Sequence, residues 1–371
     1  MLTLQFFSTQ STAIEKLSLD IGALNVQEWE FEGLQIALTD IPKHRQQLVL
    51  TIKKMSLPKP FDDLKLADIR CTSFTWGNSQ IVCERGKARI SSKYWRSPNA
   101  DFTFRVGEKS SMARITGLNL LGGMIDAELT ETSIRWQVKL NAQHLDGRLL
   151  QKQFAAKLFE VKSGDLSLAI KASGAQTTID TIELTATAEQ LTLQTPDGKT
   201  ATEALSSTAH WYAANQGGFW HWQHQSQLTG GALYLEPVYL EAGSDPFSLS
   251  GRGSWNPVNR RVEIESFAFR HPKAAELTGS ATAELGATFN LARAALVLQS
   301  EDMDRFSSVY LKPFTEQTSF EGISLQGKAK DEIDWVQQAL TGLLLNFSQL
   351  AVNDQNGRIA TKGGEGAIHW S

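Results

Sequence analysis

The stretch Ile134-Arg-Trp-Gln-Val-Lys-Leu140 alternates apolar and polar side chains. Residues 34–38, 102–106 and 166–170 repeat this pattern, and similar runs fill almost the whole chain with hardly a helix between them. Successive side chains of a β-strand point to opposite faces of the sheet, so a period of two predicts strands with one apolar and one polar face. The sequence therefore predicts a mainly β protein, whose function depends on what covers the apolar faces.

The composition is that of a folded chain. Of its 371 residues, 41% are hydrophobic and 20% are charged, which excludes wholesale disorder. The net charge is −4, whereas nucleic-acid binding needs a concentrated basic surface. No stretch approaches the roughly 20 consecutive apolar residues of a membrane-spanning helix. We therefore expect no nucleic-acid partner and no membrane-spanning helix.

Two helices interrupt the strand pattern. The first is predicted from Asp146 to Phe159 and the second from Asp302 to Leu311, where Pro313 is expected to stop it. In each case an aspartate, Asp146 or Asp304, follows a strand leucine by six residues, and we interpret it as the helix N-cap. The recurrence predicts a weak internal repeat, with units 1–170 and 171–371, inside one elongated domain.

The two cysteines lie in one predicted hairpin, around a three-residue loop at Trp76-Gly77-Asn78. Such a loop sets Cys71 directly opposite Cys83, within reach of a cross-strand disulfide. The alternative is a pair of buried free thiols. A disulfide indicates an oxidising compartment, and two cysteines without a histidine pair at a suitable spacing do not make a zinc site.

The sequence contains no convincing catalytic or metal-binding motif. His221 and His224 are close in sequence but three residues apart, so on a strand they face opposite sides. The acidic stretch from Glu301 to Asp304 is better explained by helix capping than by acid–base chemistry or calcium binding. We therefore predict a protein that is not an enzyme and that holds no metal or cofactor.

The chain is rich in aromatic residues, with 10 Trp and 18 Phe. Such residues form the core of a β-sandwich, or else a surface that contacts lipid. A single sheet with one apolar face must close as a barrel, pack against a second sheet or be covered by something else. The uneven strand lengths and turns favour the third solution, with acyl chains as the cover.

Several short sequence segments make the chain resemble the AsmA-like proteins, in particular their YdbH and TamB branch. A strand, an aspartate-capped short helix, a glycine and a further alternating strand follow one another twice. The residues that carry the resemblance most clearly lie at 81–86, 306–314, 325–327, 352–360 and 367–370. The resemblance covers most of the chain but includes no catalytic motif.

The resemblance implies an elongated, twisted, taco-shaped antiparallel β-sheet with an apolar concave groove and a few short helices. It implies a periplasmic, inner-membrane-associated protein along which phospholipids pass between the inner and outer membranes, with partner proteins in both. The chain shows no anchor or signal peptide and is short for this family, so we expect a fragment or shortened form. The candidate groove residues are Phe102, Phe104, Val106, Ile134, Trp136, Val138, Leu140, Leu166, Leu168 and Ile170.

A second class of function stays open. A secreted β-sandwich or solenoid used as a scaffold or adhesin would show the same alternation, with its apolar faces closed on one another. A β-helical carbohydrate enzyme is less well supported, because no repeated Asp or Glu pattern lies on one face. Lipid binding separates the first two classes.

Overall fold

The structure is a computed structural model. It describes residues 15–26, 29–41, 46–59, 62, 64, 66–77, 79–93, 95–154, 158–243, 245–286, 289–316, 318–337, 339–354 and 357–371. Residues 1–11, where no signal peptide was found, lie outside these ranges, as does Asn78 of the predicted hairpin loop. The chain divides into two compact units, residues 1–136 and 137–371, and we describe each by itself.

The first unit is an antiparallel meander, in which each described strand pairs with the next one along the chain. Its strands include the alternating runs 34–38 and 102–106 and extend them at both ends. They are β1 (Lys16–Val26), β2 (Trp29–Thr39), β3 (Gln46–Ser56), β4 (Leu66–Gly77), β5 (Gln80–Ser91), β6 (Arg96–Gly107), β7 (Ser110–Leu120) and β8 (Gly123–Thr132). Strand β9 (Arg135–Asp146) contains the boundary between the units.

The second unit is also antiparallel, and several of its strands are longer. Its strands are β10 (Glu160–Ala175), β11 (Thr178–Gln194), β12 (Thr200–Gln216), β13 (Phe219–Leu235), β14 (Val238–Ala242), β15 (Phe247–Asn256), β16 (Arg261–His271), β17 (Ala275–Leu285), β18 (Phe289–Ser300), β19 (Ile323–Val336), β20 (Ala339–Asp354) and β21 (Ala360–Trp370). One strand has two partners on the same side, because β13 pairs with β14 near its end and with β15 along its first half. The remaining pairs from β10 to β21 join strands that are consecutive in the chain.

These pairings confirm the predicted fold class. The protein is mainly β, and its antiparallel sheet is open rather than closed into a barrel. Where neighbouring strands are joined by tight turns, as β10 and β11 are, their residues fall into register with little loop between them. The concavity of the apolar face stays a prediction. No helix among the described residues is long and apolar enough to cross a membrane.

The first predicted helix is confirmed in place and in its N-cap, but it is shorter than expected. Helix α1 spans Gly147–Phe154, and β10 already begins one residue after Phe159, the predicted end. Asp146 accepts hydrogen bonds from the backbone N–H groups of Arg148 (2.8 Å) and Leu149 (3.3 Å). The Arg148 guanidinium also bonds this carboxylate and, with those N–H groups, holds its pKa below the ordinary value despite partial burial.

The second helical segment corrects two predictions. It comprises α2 (Met303–Phe306), a π-helical turn at Ser307–Leu311, and α3 (Lys312–Thr315). The N-cap is Asp302 and not Asp304, because an N-cap needs a non-helical backbone and Asp304 already lies in the first turn. Pro313 does not end the segment, since it sits in the first turn of α3, where a missing N–H costs little.

The predicted repeat, with its boundary between residues 170 and 171, stays a prediction. Both residues lie inside the continuous strand β10. The division of the chain falls 34 residues earlier, at 136/137. The helix at 147–154 therefore opens the second unit instead of closing the first, and the two helical segments both belong to residues 137–371. The expectation of one elongated domain stays a prediction.

Candidate functional site

The cysteines form the predicted disulfide at the centre of the first unit. Cys71 and Cys83 are bonded, with their Cα atoms 5.9 Å apart. The register differs from the prediction, since Cys71 lies opposite Gly86 and Cys83 lies opposite Phe74. Two residues of each strand lie between these two pairs, and the disulfide joins the pairs diagonally. The last pair of the two strands is Gly77–Gln80, whereas the prediction placed residues 76–78 in the loop.

The disulfide is the core of an apolar cluster that contains two predicted groove residues. Both cysteines are fully buried with Leu38 and Phe74, and Phe102 and Phe104 pack against them. The two phenylalanine rings are parallel, with centroids 6.2 Å apart. Spacing along the chain had not indicated this contact, because β4, β5 and β6 bring these residues together only through their register.

Two predicted groove residues are less suitable than the sequence suggested. Ile134 is in the turn that precedes β9 and is 65% exposed, so it does not belong to a strand face. The predicted alternation there begins one residue later, at Arg135. Val106 does lie on β6, in the row of Trp76 and Ile81, but near the end of the strand, where it is 47% exposed.

The other predicted residues lie on strands β9 and β10. Trp136, Val138 and Leu140 are partly buried and alternate along β9, so they share a face. Leu166, Leu168 and Ile170 do the same along β10 and are also partly buried. Leu166 packs in the cluster of Val161, Ala188 and Leu191.

From β10 onward, the strand register places apolar side chains in continuous rows across the sheet. Each row joins directly paired residues of neighbouring strands, and three adjacent rows begin at Leu168, Ile170 and Ala172. We call the surface formed by these three rows the unit 2 apolar face. The row of Ile170 continues through Leu184, Trp211, His224, Gly251, Phe267, Gly279, Leu296, Ile333, Leu343 and Trp370.

The rows on either side are also apolar, with few exceptions. The first is formed by Leu168, Ala186, Ala209, Ser226, Leu249, Phe269, Leu277, Leu298, Asp331, Leu345 and Ile368. The second is formed by Ala172, Ile182, Ala213, Trp222, Gly253, Ile264, Ala281, Ala294, Trp335 and Leu340. Bulges in β16 and β20 preserve this alignment, since they insert residues without turning the rows over.

The unit 2 apolar face is only partly shielded from solvent. Trp211 is 43% exposed, Leu249 42% and Trp370 49%, and most of the large side chains between them are partly buried rather than buried. The described strands of this unit form a single sheet, and none of them makes a second sheet over this face. A row of large apolar side chains left in this state is an unusual surface for a protein that acts alone.

The opposite face of the same strands is polar. A cavity of about 650 Å³ lies there. The lining of this cavity includes the residues of the Ile170 row on strands β11–β13 and β15–β17. It does not include Ile182 or Trp222 of the neighbouring Ala172 row. The side chains of the polar face around it include Glu183, Thr185, His210, Tyr212, Gln223, Gln225 and Arg252.

The helical segment 303–315 packs against one border of the unit 2 apolar face. Val309 and Tyr310 contact the cluster of Leu240, Ala242 and Phe247. Tyr310 Oη lies 2.9 Å from Nδ1 of His271, and the His271 ring meets Phe247 edge-on with centroids 4.4 Å apart. The segment therefore covers this border, while the rows of Ile170 and Ala172 stay partly exposed.

Charged groups surround His271 on its other side. Its Nε2 lies 3.5 Å from an Nη2 of Arg305, and Arg305 also pairs with Asp245 at 3.5 Å. Burial lowers the pKa of His271, Arg305 lowers it further and Asp245 opposes the shift. Burial also raises the pKa of Tyr310. Both rings are therefore neutral at physiological pH, as an apolar contact requires.

Three polar atoms on the unit 2 apolar face are buried without a hydrogen-bond partner. They are Nδ1 of His224, Oδ1 of Asp331 and Nε1 of Trp335. Burial lowers the pKa of His224, and a weaker interaction with the backbone of His210 raises it. Burial raises the pKa of Asp331, and a weaker hydrogen bond from the backbone N–H of Asn346 lowers it. Sequence alternation had not revealed Asp331, because a single polar residue in an apolar register looks like an interruption of the strand.

His221 and His224 are not placed to share a metal ion. His224 and His221 lie on opposite faces of β13, as predicted, and the His224 ring packs against Trp211 with centroids 4.2 Å apart and the ring planes tilted by 36°. Within the described ranges, no group of three or more His, Cys, Asp or Glu side chains is placed to hold a metal ion.

A scan against protein-family models found no match, and searches of curated proteins and of solved structures found none either.

Proposed function

We propose that the chain is a non-enzymatic lipid-binding protein and that acyl chains cover its unit 2 apolar face. The observation that carries this proposal is the separation of side chains across β10–β21, with three apolar rows that stay partly exposed. Each buried CH₂ group of a lipid contributes about 0.8 kcal/mol, so acyl chains are an effective cover. A mechanism of this kind needs no catalytic residue.

Phospholipids are the ligands that suit such a surface. Their acyl chains match the apolar rows in chemistry, while the head groups can stay in water beyond the strand ends. The rows run from strand to strand without a polar break wider than one residue. We therefore propose that acyl chains slide along the rows, as the resemblance to AsmA-like proteins implies.

The disulfide supports a location outside the cytosol. Structural disulfides persist in oxidising compartments such as the bacterial periplasm, and the Cys71–Cys83 bond lies in the core of the first unit. We propose a periplasmic protein that takes part in phospholipid transport between the inner and outer membranes of a Gram-negative envelope. Its proposed partners are membrane proteins that deliver and receive the lipid.

Lipid co-purification tests the proposal. The protein is purified from bacterial cells without detergent and analysed by native mass spectrometry and lipid extraction. We expect near-stoichiometric phospholipid. A lipid-free protein with a cooperative fold would contradict the proposal and would favour a scaffold or adhesin.

A matched pair of variants tests whether lipid binds on the unit 2 apolar face. Leu168→Glu places a charge on the unit 2 apolar face, whereas Ala169→Glu places the same charge on the opposite face of the same strand. Burial of an unpaired charge costs several kcal/mol, so we expect Leu168→Glu to reduce bound lipid by about tenfold or more. Ala169→Glu should retain it. Equal lipid in two folded variants would show that this face is not the site.

A further inference from the structure

Asp331 is a carboxyl group in otherwise apolar surroundings. On β19 it lies directly opposite Leu298 of β18 and Leu345 of β20. Along its own strand, Ala329 and Ile333 share its face. The carboxyl therefore has hydrocarbon on all four sides.

The Asp331 carboxyl lacks a partner for one of its oxygens. Oδ1 is buried and makes no hydrogen bond. A hydrogen bond from the backbone N–H of Asn346 to the carboxyl lowers its pKa, against the larger effect of burial, which raises it. No charged side chain contributes to that pKa, and Asp331 takes part in none of the ion pairs among the described residues. A buried polar atom without a partner destabilises a fold, so each one calls for an explanation.

A ligand that supplies a donor would remove this cost. A terminal head group has hydrocarbon on one side only, whereas the Asp331 carboxyl is flanked by hydrocarbon in both directions along its row and along its strand. The ligand group that matches it therefore lies within an apolar chain. We propose that Asp331 binds the hydroxyl group of an acyl chain hydroxylated within its length, and so selects such chains on the unit 2 apolar face.

This inference rests on the proposed function and names a ligand class for it. A hydroxyl group on an acyl chain loses its water when it binds to an apolar surface, so without a partner it weakens binding. Opposite Asp331 the same hydroxyl makes a hydrogen bond to a carboxyl, and binding becomes stronger. The preference between two chains that differ by one hydroxyl therefore reports on Asp331 itself.

The experiment compares 12-hydroxyoctadecanoate with octadecanoate, two acids of equal length and equal charge. Binding of each to the full chain is measured by displacement of the fluorescent fatty acid cis-parinarate. We expect the parent protein to prefer the hydroxylated acid by about tenfold, the factor that corresponds to one hydrogen bond to a charged or polar partner. Octadecylamine, with a terminal ammonium group, should show no such preference over octadecanol.

Three variants separate the role of the carboxyl from its effect on stability. Asp331→Leu should abolish or reverse the preference while it still binds octadecanoate, and Asp331→Asn should retain part of it, because an amide oxygen also accepts a hydrogen bond. The control is Glu332→Leu, which changes a carboxyl on the opposite, exposed face of the same strand. It should keep the preference of the parent.

The outcomes distinguish the two proposals. Binding of both acids with equal affinity in the parent, or a preference that survives Asp331→Leu, would overturn the role of Asp331 and leave the lipid-binding function standing. Preference for the terminal amine would overturn it too. Binding of neither acid would overturn the lipid-binding function and this inference with it.

Discussion

The ring of Phe102 lies on the backbone of Gly86, its direct partner on the neighbouring strand. A Cβ atom added at residue 86 would come within 2.3 Å of Cζ of the ring, which is far closer than two carbon atoms can approach. The ring in turn packs against the buried disulfide. One missing side chain on β5 thus gives Phe102 its place in the core of the first unit.

Gly86→Ala should therefore destabilise the first unit. The added methyl group forces the Phe102 ring out of its position, and overpacking of this kind costs about 1–3 kcal/mol. The midpoint of denaturant unfolding and hydrogen exchange in β5 and β6 measure the effect. Gly22→Ala is the control, since a Cβ there meets nothing within 4 Å. An equal response of the two variants would show that the contact with Phe102 is unimportant.

Removal of the disulfide should lower the stability of the same region. The cysteines are 12 residues apart, and closure of a loop near this size is worth about 3 kcal/mol in the chain-entropy treatment. We expect Cys71→Ala/Cys83→Ala to shift the unfolding midpoint of the full chain downward, and reductant to have the same effect on the parent alone. Thiol counting on the denatured, unreduced parent should find no free thiol. Two free thiols would contradict the bond.

His271 should make the helical segment sensitive to acid. The pKa of His271 is lower in the folded protein than in the unfolded chain, so the unfolded state binds the extra proton first. The stabilisation is present above the unfolded pKa of about 6.5 and is lost as the pH falls from there through the folded pKa. The protection factors of the amides in residues 303–315, which are exchange rates corrected for the intrinsic pH dependence of exchange, should therefore fall between about pH 7 and pH 5.

His271→Gln should flatten that pH dependence, because glutamine does not titrate. The control is His221→Gln, a change of an exposed histidine on β13. His224 also titrates with a lowered pKa, so the measurement is made on peptides of the helical segment and not on global unfolding. An unchanged slope in His271→Gln would show that another group causes the acid sensitivity.

Asp302→Ala should loosen the start of the helical segment. Its carboxylate accepts hydrogen bonds from the N–H groups of Asp304 and Arg305, both at 3.1 Å. Loss of an N-cap costs about 1 kcal/mol, which should appear as faster hydrogen exchange in α2. Asp304→Ala removes only a first-turn charge and should have the smaller effect. A larger effect of Asp304→Ala would restore the cap that the sequence predicted.

The sequence was sufficient for the fold class because alternation is a local property. A period of two specifies a strand face at every residue, and the pairs Leu168–Ala186 and Ile170–Leu184 show that neighbouring strands keep the faces aligned. The helix caps were only half predictable. Both Asp302 and Asp304 have the right chemistry, and only the backbone conformation decides between them.

The candidate site was less predictable, because it depends on register between strands distant in the sequence. Trp211, Phe267, Leu296 and Ile333 share a row with Ile170, yet no spacing in the sequence links them. The alternation of apolar and polar residues in β12, β16, β18 and β19 could have identified them as candidate residues. Asp331 could not have been found in this way, because the burial of its Oδ1 and the lack of a hydrogen-bond partner for that atom are properties of the assembled sheet.

The pairing of each strand with its neighbour in the chain has a consequence for how such a protein can change in size. A hairpin is two strands, so its duplication or deletion leaves every later side chain on the side of the sheet that it occupied before. An insertion of one residue within a strand would instead move the apolar side chains that follow to the polar side, unless a bulge absorbed it. The architecture can therefore evolve by whole hairpins, with the length of its apolar face as the quantity under selection.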